Sequence, residues 1–259
     1  MDLGLNGRQA LIFGGSRGLG RACAEAIAAE GARVTIAGRT ETALAAAAGE
    51  MSTRLEVPVR YVVADITTDE GRAAALAACP APDILLNNAS GWPVGDFRDW
   101  THDDWVAGLD RMMLGPIGMI RLTVDGMMER GFGRIVNITS RSVKVAQVEM
   151  GLSNGARSGL TGFVAGLARQ TIAHGVTINN ILPGIFDSEA QADHIEGLVK
   201  AGEGSFEEIR ARRARQNPAG RYGRPDELGS LFAWICGDKA GFMTGQNLLM
   251  DGGSYPGTF

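Results

Sequence analysis

Short apolar runs alternate with longer amphipathic stretches along almost the whole chain. The runs Gln9–Phe13, Arg33–Ala37, Val59–Val63, Ile84–Asn87, Arg134–Ile138, Thr177–Leu182 and Asn247–Met250 have the length and side-chain content of strands. Between them, a helical period predicts helices at Gly18–Glu30, Glu41–Glu50, Asp69–Cys79, Asp103–Arg130, Ser153–His174 and Asp226–Cys236. Strict alternation of strand and helix implies right-handed βαβ units and a parallel sheet. Helices then cover both faces, which is why the strand runs are apolar throughout. The expected fold is α/β, a doubly wound seven-stranded parallel sheet with helices on both faces. No Pro/Gly/Ser linker divides residues 1–259, so one domain is expected.

One segment breaks the alternation. Phe186–Asn217 is polar and carries Glu207, Glu208, Arg210, Arg212, Arg213 and Arg215. A long insertion between two βα elements reads as a lid, near 186–217. Glu208 precedes Arg212 by four, so the arginine run is expected to be partly self-paired and solvated.

Composition narrows the class without naming the chemistry. The 259 residues are 45% hydrophobic and 21% charged, as in soluble globular proteins. A formal net charge of −4 argues against non-specific binding of nucleic acid or an anionic membrane. The start Met1-Asp2-Leu3-Gly4-Leu5 has no signal-peptide pattern. Cys23, Cys79 and Cys236 are far apart and lack metal-ligand spacing. A cytoplasmic protein with no metal site is expected.

The first chemical motif follows the first strand. Gly14-Gly15-Ser16-Arg17-Gly18-Leu19-Gly20 opens a helix with Gly-x-x-x-Gly-x-Gly spacing. Gly14 permits the tight turn, Gly18 lets the backbone approach a pyrophosphate, and Gly20 allows close helix–strand packing. The helix N-terminus then offers free N–H groups to the phosphates. The next strand ends in Ala37-Gly38-Arg39, without the acidic side chain that takes the ribose 2′-hydroxyl of NAD. Arg39 and Arg17 are instead suited to fork onto a 2′-phosphate, so NADP(H) is expected over NAD(H).

These motifs, with Asp65, Asn87-Asn88-Ala89-Ser90, Ser140, Pro183-Gly184 and Asp251-Gly252-Gly253, resemble the short-chain dehydrogenase/reductase superfamily along nearly the whole chain. The resemblance is greatest to its 3-oxoacyl-carrier-protein-reductase-like members. It implies a Rossmann-type fold and a dinucleotide held by Gly14, Ser16, Arg17, Gly18, Leu19, Gly20 and Arg39. Asp65 and Ile66 would flank the adenine, and Asn88 and Ala89 would meet the ribose. Pro183, Gly184, Ile185 and Ser188 would hold the nicotinamide amide and a phosphate. Phe13 stands in place of a threonine of the pattern, and Ser90 in place of a glycine.

The catalytic pattern is where this chain departs. The family uses a serine, a tyrosine, a lysine four residues after the tyrosine, and an asparagine on the preceding helix. Only the serine is kept, as Ser140. The tyrosine falls on Ser153, the lysine on Arg157 and the asparagine on Met112. Ser153 and Arg157 still share a helix face. A serine hydroxyl is a far weaker acid than a phenol, however, and an arginine does not give up its proton. Tyr61 and Tyr222 lie where they offer no substitute. Arg157 is expected to keep the cofactor ribose, and Ser140 and Ser153 to bond a substrate oxygen. Trp92, Arg141, Phe186 and His194 are candidate pocket residues, with His194 the one lid group titrating near neutrality.

Three functions follow. The first is an NADP(H)-dependent reductase of a carbonyl or similar polar double bond in a small molecule, with a rebuilt active site. The second is a non-redox, lyase-like enzyme. The third is a non-catalytic nucleotide-binding subunit or sensor. Gly155, Gly159, Gly162 and Gly166 stripe the Ser153 helix, where each costs about 1 kcal/mol against alanine. Such a stripe implies a closely packed helix, and by resemblance a homotetramer or homodimer.

Overall fold

The computed structural model describes residues 1–258. Seven parallel strands form one sheet: β1 Gln9–Phe13, β2 Arg33–Gly38, β3 Val59–Val63, β4 Ile84–Asn88, β5 Gly133–Ile138, β6 Val176–Pro183 and β7 Asn247–Met250. Their order is β3-β2-β1-β4-β5-β6-β7. The strand direction of the winding changes between β1 and β4, so a crevice opens beyond their carboxyl ends, where ligands bind in such sheets.

Each face of the sheet buries its own apolar layer. On one, Ile12, Ile36, Leu86 and Ile181 pack against α1 (Gly18–Ala29), α2 (Glu41–Leu55) and α9 (Pro225–Cys236) through Ile27, Leu44, Met51 and Phe232. On the other, Leu11, Phe13, Leu85, Ile135 and Ile178 meet α3 (Asp69–Ala78), α5 (Gly115–Glu129) and α6 (Gly151–Thr171) through Ala75, Ile120, Leu160 and Val164. No helix among the described residues is long and apolar enough to cross a membrane.

A polar rung crosses this second layer. Asn87 on β4, Asn137 on β5, Asn180 on β6 and Asn247 on β7 are register partners. The Nδ2 of each donates to the Oδ1 of the next, at 2.9, 3.0 and 2.9 Å. The bonds run in one direction and leave Asn87 Oδ1 buried without a partner at the start.

Two stretches differ from expectation. The helix expected over Asp103–Arg130 is α4 (His102–Leu109), a π-helical segment Asp110–Leu114, and α5. Pro116 has no N–H to return to the residue-112 carbonyl, and the local widening accommodates that lost bond. The insertion 186–217 holds two helices, α7 Glu189–Lys200 and α8 Phe206–Gln216. They share a small core of Ile195, Ile209 and Tyr222. Glu208 does not bond Arg212 there. Its carboxylate closes a capping box with Ser205, and Arg212 pairs with Glu203 at 3.1 Å.

Candidate cofactor and active site

The glycine loop is shaped by its neighbours. Gly14 and Gly18 have φ of 66° and 56°, the left-handed region that glycine alone enters without strain. A Cβ on Gly14 would lie 2.6 Å from the Asn88 amide nitrogen, and one on Gly15 would lie 2.6 Å from Ile36 Cγ2. Gly15 was not singled out by its spacing, and only the β1–β2 packing reveals why it is there. Arg17 precedes α1 as its N-cap, and no side chain bonds the helix's first N–H groups. Ser16 lies in this loop, and Leu19 turns inward to the core.

The elements that follow the strands converge on this loop. Asn88 Nδ2 reaches the Gly14 carbonyl at 3.5 Å. A Cβ on Gly18 would sit 3.7 Å from Ser188 Cβ and 3.3 Å from Glu189 Oε2, so the start of α7 overhangs the helix N-terminus. Pro183 ends β6, and Gly184 donates to the Met250 carbonyl at 2.8 Å, which fixes Ile185 beyond it. Ile66 is buried. Asp65 Oδ1 accepts from the Thr67 N–H and hydroxyl at 2.9 and 2.8 Å. Burial pushes the Asp65 carboxyl up, but these bonds with the charges of Arg39 and Arg111 hold it below the usual range. Arg17 and Arg39 are exposed and form no ion pair among the described residues.

Ser140, Ser153 and Arg157 are brought together at the ends of β4 and β5. Ser140 Oγ accepts from the Ser142 N–H at 3.1 Å. Ser153, 2% exposed, accepts from Arg157 Nε at 3.2 Å. Arg157 is buried with no carboxylate partner. Its Nη1 donates to the Ile138 and Thr139 carbonyls at 2.9 and 2.8 Å, and its Nη2 to the Ala89 carbonyl at 3.5 Å. Burial lowers this guanidinium to about 10, so it stays charged at neutral pH. The fold therefore takes up most of the donors that the sequence assigned to a ribose. Met112 lies in the π-helical segment, buried against Leu152 and Ala156.

A model of the family described as enoyl-(acyl carrier protein) reductase matches residues 14–255. The chain belongs to the short-chain dehydrogenase/reductase family. It is 32% identical to the acetoacetyl-CoA reductase of Shinella zoogloeoides, over 96% of this chain and 98% of that one. It is 30% identical to a 3-oxoacyl-[acyl-carrier-protein] reductase of Vibrio harveyi, over 98% and 99%. The crystal structure of L-sorbose reductase from Gluconobacter frateurii, complexed with NADPH and L-sorbose, superposes with a TM-score of 0.94 at 27% identity, covering 100% of both chains. These relatives are oxidoreductases by name.

In this short-chain dehydrogenase/reductase the other expected pocket residues scatter. Trp92 packs beside Met112 and Leu152, with the Arg111 guanidinium 5.0 Å from its ring centre. His194 sits half-buried on α7; burial and the charge of Arg213 lower its pKa against the opposing pull of Glu149 and Glu203. Phe186 lines a small cavity with Ile185, Ala219, Met250 and Gly252. Its backbone bridges to Gly223, and its ring is held in the core at 5% exposure. Arg141 turns to the C-terminal segment, where its Nη1 donates to the Ser254 hydroxyl. That return of the tail over the Ser140 loop was not visible in the sequence. It also sets Tyr255 under Lys144, whose Nζ lies 5.6 Å from the ring centre.

Proposed function

We propose that this chain is an NADP(H)-dependent carbonyl reductase in which helix α6 binds the substrate oxygen but does not protonate it. The cofactor residues fit a dinucleotide: the glycine loop has no room for side chains, the first turn of α1 has no side-chain cap, and two unpaired arginines flank it. Gly14, Gly18 and Gly20 would hold the pyrophosphate, Arg17 and Arg39 the 2′-phosphate, Asp65 and Ile66 the adenine, and Asn88, Ala89, Pro183, Gly184, Ile185 and Ser188 the rest. When bound, NADPH supplies a hydride.

The observation that carries the reading is the Arg157–Ser153 bond. Ser153 Oγ accepts from a fixed cation, and Ser140 Oγ accepts from a backbone N–H. Each hydroxyl hydrogen is therefore directed elsewhere, and both are available to donate to a carbonyl oxygen. The buried charge of Arg157 stabilises the negative charge that develops there, with little screening by water. Reduction of acetoacetyl-CoA and L-sorbose, the substrates in the relatives' names, followed by NADPH consumption, tests the reading. Turnover of either supports it; tight NADPH binding with no turnover of a broader ketone panel overturns it.

The same Arg157 geometry favours a second reading, a nucleotide-binding subunit without turnover. A guanidinium spent on three backbone carbonyls is a structural cation. The inactive outcome of the same assay selects it.

A further inference from the structure

Two arginines of α8 are spent within the insertion. Arg210 meets Asp187 through bonds of 3.0 and 2.9 Å, and Arg212 meets Glu203 at 3.1 Å. Arg215 is exposed to water. Arg213 is different. Its Nε is buried with no group bonded to it, and its guanidinium enters no ion pair among the described residues. A nitrogen donor shut off from water without an acceptor is costly, and more so when it carries charge. The fold supplies no acceptor for this one, so a ligand's negative charge would be bound there at a gain.

The position of Arg213 points to the substrate side of the crevice. It lies one turn beyond Ile209, on the α8 edge that packs against Ile195 of α7. His194, next to Ile195, is within range of the charges of both Arg213 and Glu149. Glu149 belongs to the short turn Val148–Met150 that runs directly into α6, with Ser153 in the first turn of that helix. One turn beyond Arg213, Asn217 Nδ2 donates to the Asp251 carbonyl at 2.9 Å. The tail that follows gives Ser254 to Arg141, the neighbour of Ser140. The inner edge of α8 is thus tied to both ends of the loop that joins Ser140 to α6. The start of α7 overhangs Gly18 of the cofactor loop, so the two helices roof the space between that loop and the two serines. Of the two carboxylates whose charges reach His194, Glu203 is held by Arg212, and Glu149 is not within ion-pair distance of Arg213.

We propose that Arg213 selects substrates in which the carbonyl to be reduced and a carboxylate lie at opposite ends of a short carbon chain. This names the substrate class of the reductase reading and rests on that reading. The planar fork of a guanidinium matches both carboxylate oxygens. His194, held toward its neutral form by burial and Arg213, adds a hydrogen-bonding group without adding charge. The nearby charge of Glu149 limits how much negative charge the site can take. A carboxylate, with a single charge, suits that balance better than a phosphate with about two. Ser140 and Ser153 hold the carbonyl oxygen at the other end of the chain.

Acetoacetate, 4-oxopentanoate and 5-oxohexanoate, each beside its methyl ester, supply the probe. With NADPH, the kcat/KM of the wild type should favour at least one acid over its ester by about tenfold or more. Arg213→Met should lower that preference about ten- to a hundredfold, mainly through KM, and Arg213→Lys should keep part of it. A wild type that reduces ketones but prefers no acid overturns this inference and leaves the reductase reading standing. So does an Arg213→Met variant that keeps the preference. Calorimetry of the enzyme–NADP⁺ complex supplies a readout without turnover. The Kd for hexanoate, relative to that for hexanamide, should rise about tenfold or more in Arg213→Met. Equal ratios in wild type and variant overturn the inference whatever the turnover. A chain that reduces no ketone or oxo acid overturns the reductase reading, and hexanoate binding that still depends on Arg213 tells that failure from a failure of this inference.

Discussion

At the scale of single residues, the replacement of a lysine by Arg157 changes what the position does. A lysine titrates near 10.4 and responds to its neighbours, whereas a guanidinium does not release its proton in the working range. Burial lowers Arg157 from the ordinary guanidinium range to about 10. Because the folded value lies below the unfolded one, the unfolded chain holds the extra proton between these values, and stability from this group rises with pH only there. Across pH 6–9 both states are charged. The stability difference between wild type and Arg157→Met, from urea unfolding, should therefore be the same at both ends of that range. Ser153 should behave as a binding group: Ser153→Ala should lower kcat by about tenfold or less. A fall of about 10²–10⁴ would make Ser153 the acid. Arg39 belongs to the same scale. Arg39→Ala should raise the Kd for NADPH about ten- to a hundredfold and leave NADH unchanged in a fluorescence titration. Equal losses for both would remove the 2′-phosphate assignment.

At the scale of elements, the strands and most helices were legible because buried parallel strands are continuously apolar and their helices are not. The π-helical segment was hidden, since Pro116 fell inside an otherwise unbroken helical pattern. So were α7 and α8. Their mainly polar composition read as a loop, while each keeps only a narrow apolar edge, Ile195 and Ile209, for the other. The glycine loop and Ser140, Ser153 and Arg157 were visible as spacing within single elements. The return of the tail over the Ser140 loop was not, because Lys144 and the Tyr255 ring it covers are 111 positions apart, 255 less 144, and only the fold of the tail joins them. The asparagine rung is of the same kind. Asn87, Asn137, Asn180 and Asn247 read as separate polar residues in strands until the register aligns them. Each of the two interior amides is fully buried and bonded on both sides. Asn180→Ala strands the Asn137 donor and the Asn247 acceptor. Asn247 is exposed, so water satisfies its acceptor, and the one group left buried and unpaired is the Asn137 donor. At about 1–3 kcal/mol for such a group, the loss should be about 1–3 kcal/mol in denaturant unfolding. A loss below about 0.5 kcal/mol would mean that the rung adds nothing.

At the scale of the whole molecule, the glycine stripe of α6 divides in two. Gly159 faces inward, where a Cβ would meet Met113 Sδ at 2.7 Å, and packing within the chain accounts for it. Gly155 is exposed, and a Cβ there would make only ordinary contact with Trp105 at 3.6 Å. Gly162 and Gly166 meet nothing within 4 Å. Beside them Phe163 is 37% exposed, and on the neighbouring π-helical segment and α5 Leu114 and Leu122 are 47% and 48% exposed. Bare backbone flanked by exposed apolar side chains is suited to a second helix at close range, and symmetry makes that helix a copy of this one. The chain should therefore form a homodimer or homotetramer through α5 and α6, measured by light scattering at micromolar concentration. The two halves of the stripe supply the control. Gly162→Leu has open space in the single chain and gains about 0.8 kcal/mol of helix propensity, so it should leave circular dichroism and NADPH binding unchanged. It should nonetheless shift the assembly to smaller species, because the added side chain occupies the gap the partner helix needs. Gly159→Leu should do the opposite, lowering stability through its clash with Met113 at any assembly state. A wild-type chain that scatters as a monomer, or a Gly162→Leu variant that assembles as wild type does, removes the interface from this face.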